Sequence, residues 1–173
     1  EAQKSDKQFL LAEIVRKLLN DEIKSFGKSN LVKGKEFSKM LQESVNRYQN
    51  HVVSAAQFVQ ELIDMAKGVN KAKRRGEELG LTEGEVAFYD ALESNEDAVK
   101  VLGDDILKKI ALDLYKNFRE NASIDWSVKE SVRAKLRVSI KRVLRMYKYP
   151  PDKTEDAVKL ILEQAEMMAG EGN

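Results

Sequence analysis

Apolar residues recur along this chain at steps of three and four, the spacing that lines one face of an α-helix, and no stretch alternates with period two. The pattern predicts an all-α, irregular multi-helix fold of about seven helices without a sheet. A first helix is expected over about 4–25, carrying Phe9, Leu10, Ile14, Leu18 and Leu19, with Gly27 as its stop. The next covers about 35–50 with Phe37, Met40, Leu41, Val45 and Tyr48. Ser54 and Gln57 form a capping box, in which hydroxyl and amide satisfy amide groups that a helix start leaves unpaired. The helix they open is expected to bury Phe58, Leu62, Ile63 and Met65 and turns polar before Gly80.

Thr82 and Glu85 make a second capping box, opening a short helix with Val86, Phe88, Tyr89 and Leu92. Asn95 caps another short helix that ends at Gly103, and Asp104 caps one whose Ile106, Leu107, Ile110, Ala111, Leu114 and Phe118 share a face. Ser127 and Glu130 form a third box before a basic helix reaching about Tyr147, with Trp126 placed to staple that helix to the core. Pro150 and Pro151 force a turn because their rings fix φ, and a last helix is expected over about 153–169. With no repeat and no low-complexity linker, the 173 residues read as a single helical domain.

Composition narrows the chemistry. Cysteine is absent and there is one histidine, which removes thiolate nucleophiles, cysteine zinc sites and most imidazole clusters. There is no Gly-rich phosphate loop: the glycines are scattered, and Gly80 to Gly84 lacks a following Gly-Lys-Ser/Thr. No apolar run reaches the roughly 18–20 residues of a membrane span, and no signal peptide opens the chain, so a soluble cytoplasmic protein is expected. His51, at a helix end, reads as a capping or surface residue. Glu83/Glu85 and Asp104/Asp105 sit at helix starts, where the helix dipole favours negative charge without any metal. No catalytic, cofactor-binding or metal-binding residue is assigned.

Net charge is +1, but it is blocked out along the chain. Residues 82–106 hold eight acids against one lysine, residues 126–148 eight bases against one acid, and residues 149–173 six acids against two lysines. On a wheel started at Val128, the apolar Val132, Leu136, Ile140, Val143 and Leu144 fall at roughly 40–160°. Lys135, Arg137, Lys141, Arg142, Arg145 and Lys148 fall at roughly 180–340° on the same wheel. These six are the candidate contact residues for a partner or for DNA. The face can pair with the chain's own acidic helices, meet an acidic protein, or track phosphates, and charge alone favours the protein readings.

Several blocks resemble the C-terminal helical region of the R subunit of type I restriction-modification enzymes. They begin with Asn20-Asp-Glu-Ile-Lys24, Phe37-Ser-Lys-Met-Leu41 and Asn46-Arg-Tyr-Gln-Asn50. Arg75-Gly-Glu-Glu-Leu-Gly-Leu81, Ala87-Phe-Tyr-Asp-Ala-Leu92 and Val101-Leu-Gly-Asp104 follow in the family's order. The most specific run is Asp125 to Arg137, followed by Tyr149-Pro-Pro-Asp-Lys153 and Ile161-Leu-Glu-Gln-Ala165. The chain departs at Gln49, where a histidine is expected, and at Ser127, where threonine is usual. The resemblance implies a C-terminal piece of a large subunit with a nuclease domain and two ATP-driven motor domains, which translocates and cleaves duplex DNA using ATP and Mg. None of those catalytic motifs lies in this stretch. The implied role is non-catalytic. The piece would dock the translocase onto the methyltransferase and specificity subunits and contact the rest of the R subunit. The alternative is a duplex-DNA-tracking module built on the basic helix 127–148. No membrane is implied.

Overall fold

The computed structural model describes residues 1–121 and 129–171, so the Trp126 staple and the Ser127 capping box lie outside the described residues. Among the described residues there are eight α-helices, one short 3-10 turn and no strand. The helices are α1 (Ala2–Ser29), α2 (Leu31–Gln49), α3 (Ala55–Leu79), α4 (Glu83–Glu93), α5 (Glu96–Leu102), α6 (Asp104–Asn121), α7 (Lys129–Met146) and α8 (Thr154–Glu171). They fall into two compact units, one of Glu1–Lys28 with Lys33–Arg75, the other of Ser29–Val32 with the chain from Gly76 onward.

The first unit packs α1, α2 and most of α3 around Leu19, Ile23, Phe26, Phe37, Leu41, Phe58, Leu62 and Val69. Met65 is buried with them, whereas Ile63, next to Leu62 and so turned about 100° from it, is exposed. Tyr48 stacks on Phe58 with ring centroids 4.5 Å apart. The buried Ser44 hydroxyl donates to Glu61, which also takes an Arg47 hydrogen bond at 2.9 Å. Gly27 does not stop α1, which runs on to Ser29. Its place is explained by Gly34 of α2: a Cβ built on Gly34 would come within 2.4 Å of the Gly27 Cα. These two glycines let two backbones touch, and that use of glycine outweighs its poor helix propensity.

In the second unit α4, α6, α7 and α8 follow one another around a cycle, α4 against α6, α6 against α7, α7 against α8 and α8 against α4, with α5 beside α4 and α6. Seven consecutive residues of α4, Val86 to Leu92, are buried, as a helix apolar on every side must be. Phe88 meets the rings of Tyr115 and Phe118 edge-on at 5.9 and 6.0 Å. Three polar side chains, Asn30, Asp90 and Gln164, are sealed into this core. Asn30 donates to Asp90 at 2.7 Å. Gln164, fully buried, accepts the Leu31 N–H at 2.7 Å and donates to the Ser29 carbonyl at 3.1 Å. It thereby satisfies the backbone groups exposed where α1 gives way to α2.

Three of the expected caps form, at Ser54, Thr82 and Asn95. Gln57 N–H donates to Ser54 at 3.2 Å and the Ser54 N–H to Gln57 at 2.9 Å. Thr82 and Glu85 reciprocate in the same way, and Asn95 accepts from Asp97 and Ala98. Asp104, expected as a cap, is instead the first helical residue of α6, and its carboxylate accepts the Tyr89 hydroxyl at 3.3 Å. Helices α2, α3 and α7 end alike, on a residue of positive φ: His51 at 56°, Gly80 at 66° and Lys148 at 59°. In each, the next amide bonds back to the carbonyl five residues earlier, the Schellman arrangement that satisfies a helix C-terminus.

Candidate interaction surface on helix α7

The predicted apolar stripe of α7 is the buried one: Val132, Leu136, Ile140, Val143 and Leu144 are each at most 5% exposed. The opposite side carries five of the six candidate bases, with Lys148 two residues beyond the helix end, and the structure divides them. Arg137 and Lys141 reach across to Glu155 of α8, at 3.7 and 2.6 Å, and Arg133 reaches Glu166 at 3.1 Å. The Glu155 carboxyl is held below the usual carboxylate range, chiefly by its hydrogen bond from Lys141; desolvation opposes this, and the charges of Lys141 and Arg137 add to the lowering. All three pairs are open to solvent, so they orient side chains more than they stabilise the fold.

Lys135, Arg142, Arg145 and Lys148 are exposed and form no ion pair with any described residue. With Val138 between them, Lys135, Arg142 and Arg145 follow steps of three, four and three, which places them along one line on the helix. Val138 is 68% exposed and Met146 is 65% exposed, so the strip is mixed basic and apolar. Sequence reasoning found the bases from their angle to the core. It missed the apolar pair, whose wheel angles place them away from the buried stripe, and it could not tell which bases α8 neutralises.

The C-terminal end of α7 is fixed tightly. The Tyr147 hydroxyl donates to Asp113, and that bond, followed by partial desolvation and the Asp113 charge, raises its pKa above the ordinary tyrosine value. Tyr149 is buried and donates to the Leu92 carbonyl at 3.3 Å; burial raises its pKa, and a bond with Asn95 partly opposes this. Lys148 lies between them in the left-handed region, which costs an L-residue about 1–2 kcal/mol. Lys148→Gly is therefore expected to raise stability by about 0.5–1 kcal/mol, the relief being partly offset by the greater freedom of glycine in the unfolded chain. Chemical denaturation followed by circular dichroism measures this, and a loss of stability would show that the lysine stem packs usefully.

Among the described residues no group of three or more His, Cys, Asp or Glu side chains could hold a metal ion. The acidic pairs Glu83/Glu85 and Asp104/Asp105 occupy the first turns of α4 and α6. His51 is an exposed residue at the end of α2. No described helix is long and apolar enough to cross a membrane.

Comparison with known proteins places this geometry. Residues 1–171 match the family described as type I restriction enzyme HindI endonuclease subunit-like, C-terminal. The chain belongs to this family. It is 39% identical over 155 residues to the type I restriction enzyme HindI endonuclease subunit of Haemophilus influenzae, covering 90% of this chain and 15% of that protein. It is also 33% identical over 133 residues to a protein described as a type I restriction enzyme MjaIXP endonuclease subunit in Methanocaldococcus jannaschii, covering 76% of this chain and 13% of the relative. The HindI-like C-terminal domain thus spans about one-seventh of the length of the curated relatives it matches. No solved structure matches the chain.

Proposed function

We propose that this HindI-like C-terminal domain is a non-catalytic assembly module that docks a restriction endonuclease subunit onto the methyltransferase–specificity core of its system. The docking strip is formed by Lys135, Arg142, Arg145 and Lys148 around Val138 and Met146. The observation that carries the reading is the division of α7. Helix α8 neutralises one side of the basic face, and what remains outward combines four unpaired charges with two large exposed apolar side chains. Arginine and methionine are enriched at protein interfaces, whereas phosphates gain nothing from an exposed valine and methionine. On this reading, ATP and Mg chemistry belongs to the part of the subunit outside this chain.

The test is Lys135→Glu/Arg142→Glu/Arg145→Glu introduced together in the whole endonuclease subunit. Glutamate is a good helix former and the buried stripe is untouched, so helicity is retained. Capture of the subunit by the methyltransferase–specificity core is expected to fall by at least about tenfold, since each pair of a docked charge and its partner contributes on the order of 1 kcal/mol or more. A triple variant that assembles like the wild type refutes docking through this strip. If assembly persists and the salt slope of duplex-DNA binding instead falls by about 0.9 per lost contact, α7 tracks phosphates.

A further inference from the structure

We propose that an exposed apolar stripe on α1 is the seam along which this domain packs onto the preceding part of its own subunit. Helix α1 has two apolar faces. Taking Leu10 as zero on a wheel, Ala12, Leu19, Ile23 and Phe26 fall at roughly 160–220° and are buried in the first unit. Leu10, Leu11, Ile14 and Leu18 fall at roughly 0–100° on that wheel. They are 60%, 50%, 49% and 64% exposed. Lys7 and Asp21 lie within the same sector and bound the stripe at its two ends.

A helix apolar on two faces is a helix built to be covered on both. A contiguous stripe of four half-uncovered aliphatic side chains is the kind of patch that marks a contact surface. Its occupant follows from position. The chain matches a family defined as C-terminal and spans only 15% of the HindI subunit of H. influenzae, so most of such a subunit precedes α1. The helix that carries the stripe, α1, is the one that adjoins that preceding part. A covalently joined partner is present at an effective concentration in the millimolar range, so a short seam suffices. A second copy of the chain has no such advantage, and one short stripe falls well below the roughly 1,200 Å² of a stable free interface.

This seam rests on family membership and not on the docking role of α7, and the test separates the two. Hydrogen exchange of the amides from Leu10 to Leu18 is compared between the 173-residue chain and the whole subunit. Exchange at least about tenfold slower in the whole subunit is expected. Leu11→Gln/Ile14→Gln/Leu18→Gln should remove that difference while leaving the melting temperature of the 173-residue chain unchanged, because these side chains are exposed there. Assembly with the methyltransferase–specificity core is scored in parallel and reports only on α7. Equal exchange of the wild-type amides in both contexts overturns the seam without any need for the variant to fold. A concentration-dependent dimer of the 173-residue chain that the triple variant abolishes also overturns it, in favour of a second copy.

Discussion

Phe88→Ala is expected to cost the second unit about 3–5 kcal/mol, the usual penalty for removing a fully buried aromatic ring. Phe88 is 1% exposed and sits edge-on to both Tyr115 and Phe118, so its loss leaves two rings without their partner as well as a cavity. For a unit of this size the melting transition should fall by roughly 15–30 °C. Because domain stabilities are only about 5–15 kcal/mol, the variant should be close to unfolding at physiological temperature. Thermal unfolding followed by far-ultraviolet circular dichroism reads this directly. A loss below about 1 kcal/mol would mean that the three rings do not form a packed cluster.

A second large effect is expected from Gln164→Leu, a change that improves hydrophobicity and nearly preserves volume. Gln164 links α8 to the break at residues 29–31, and both of its hydrogen bonds go to backbone. Leucine would remove the Gln164 partner of the Leu31 N–H and of the Ser29 carbonyl, both part-buried. At about 1–3 kcal/mol for each unsatisfied group, a loss of about 2–4 kcal/mol is expected. Urea denaturation measures it. An unchanged midpoint would show that water reaches both groups.

Features governed by near neighbours were legible in the sequence. The boxes at Ser54/Gln57 and Thr82/Glu85, the Asn95 cap and the buried stripe of α7 each depend on residues within one or two turns, and each forms in the structure. What escaped were decisions made by distant partners. Gly27 looks like a stop when read alone, and only the approach of Gly34 reveals it as a contact point. Gln164 and Asp90 are polar residues in helical segments, and polarity suggests a surface position until the groups they satisfy arrive from Ser29, Asn30 and Leu31. The basic face was half legible for the same reason. Periodicity shows which side faces away from the core, while the pairing of Arg137 and Lys141 with Glu155 depends on the register of α8.

Helix α4 sets how the second unit comes together in time. It has eleven residues, too few for a helix to persist by itself in water, and its seven consecutive buried residues are apolar except for Asp90. It gains its stability from α5, α6 and α8, all of which follow it in the chain. As α4 emerges first during synthesis, its hydrophobic side chains must wait for the later helices before they are covered. The acids of its own first turn, Glu83 and Glu85, with Glu96 and Asp97 that open α5, keep that waiting segment charged and well hydrated. Their second service is therefore performed before the fold exists: they guard a nascent core against collapse onto the wrong chain.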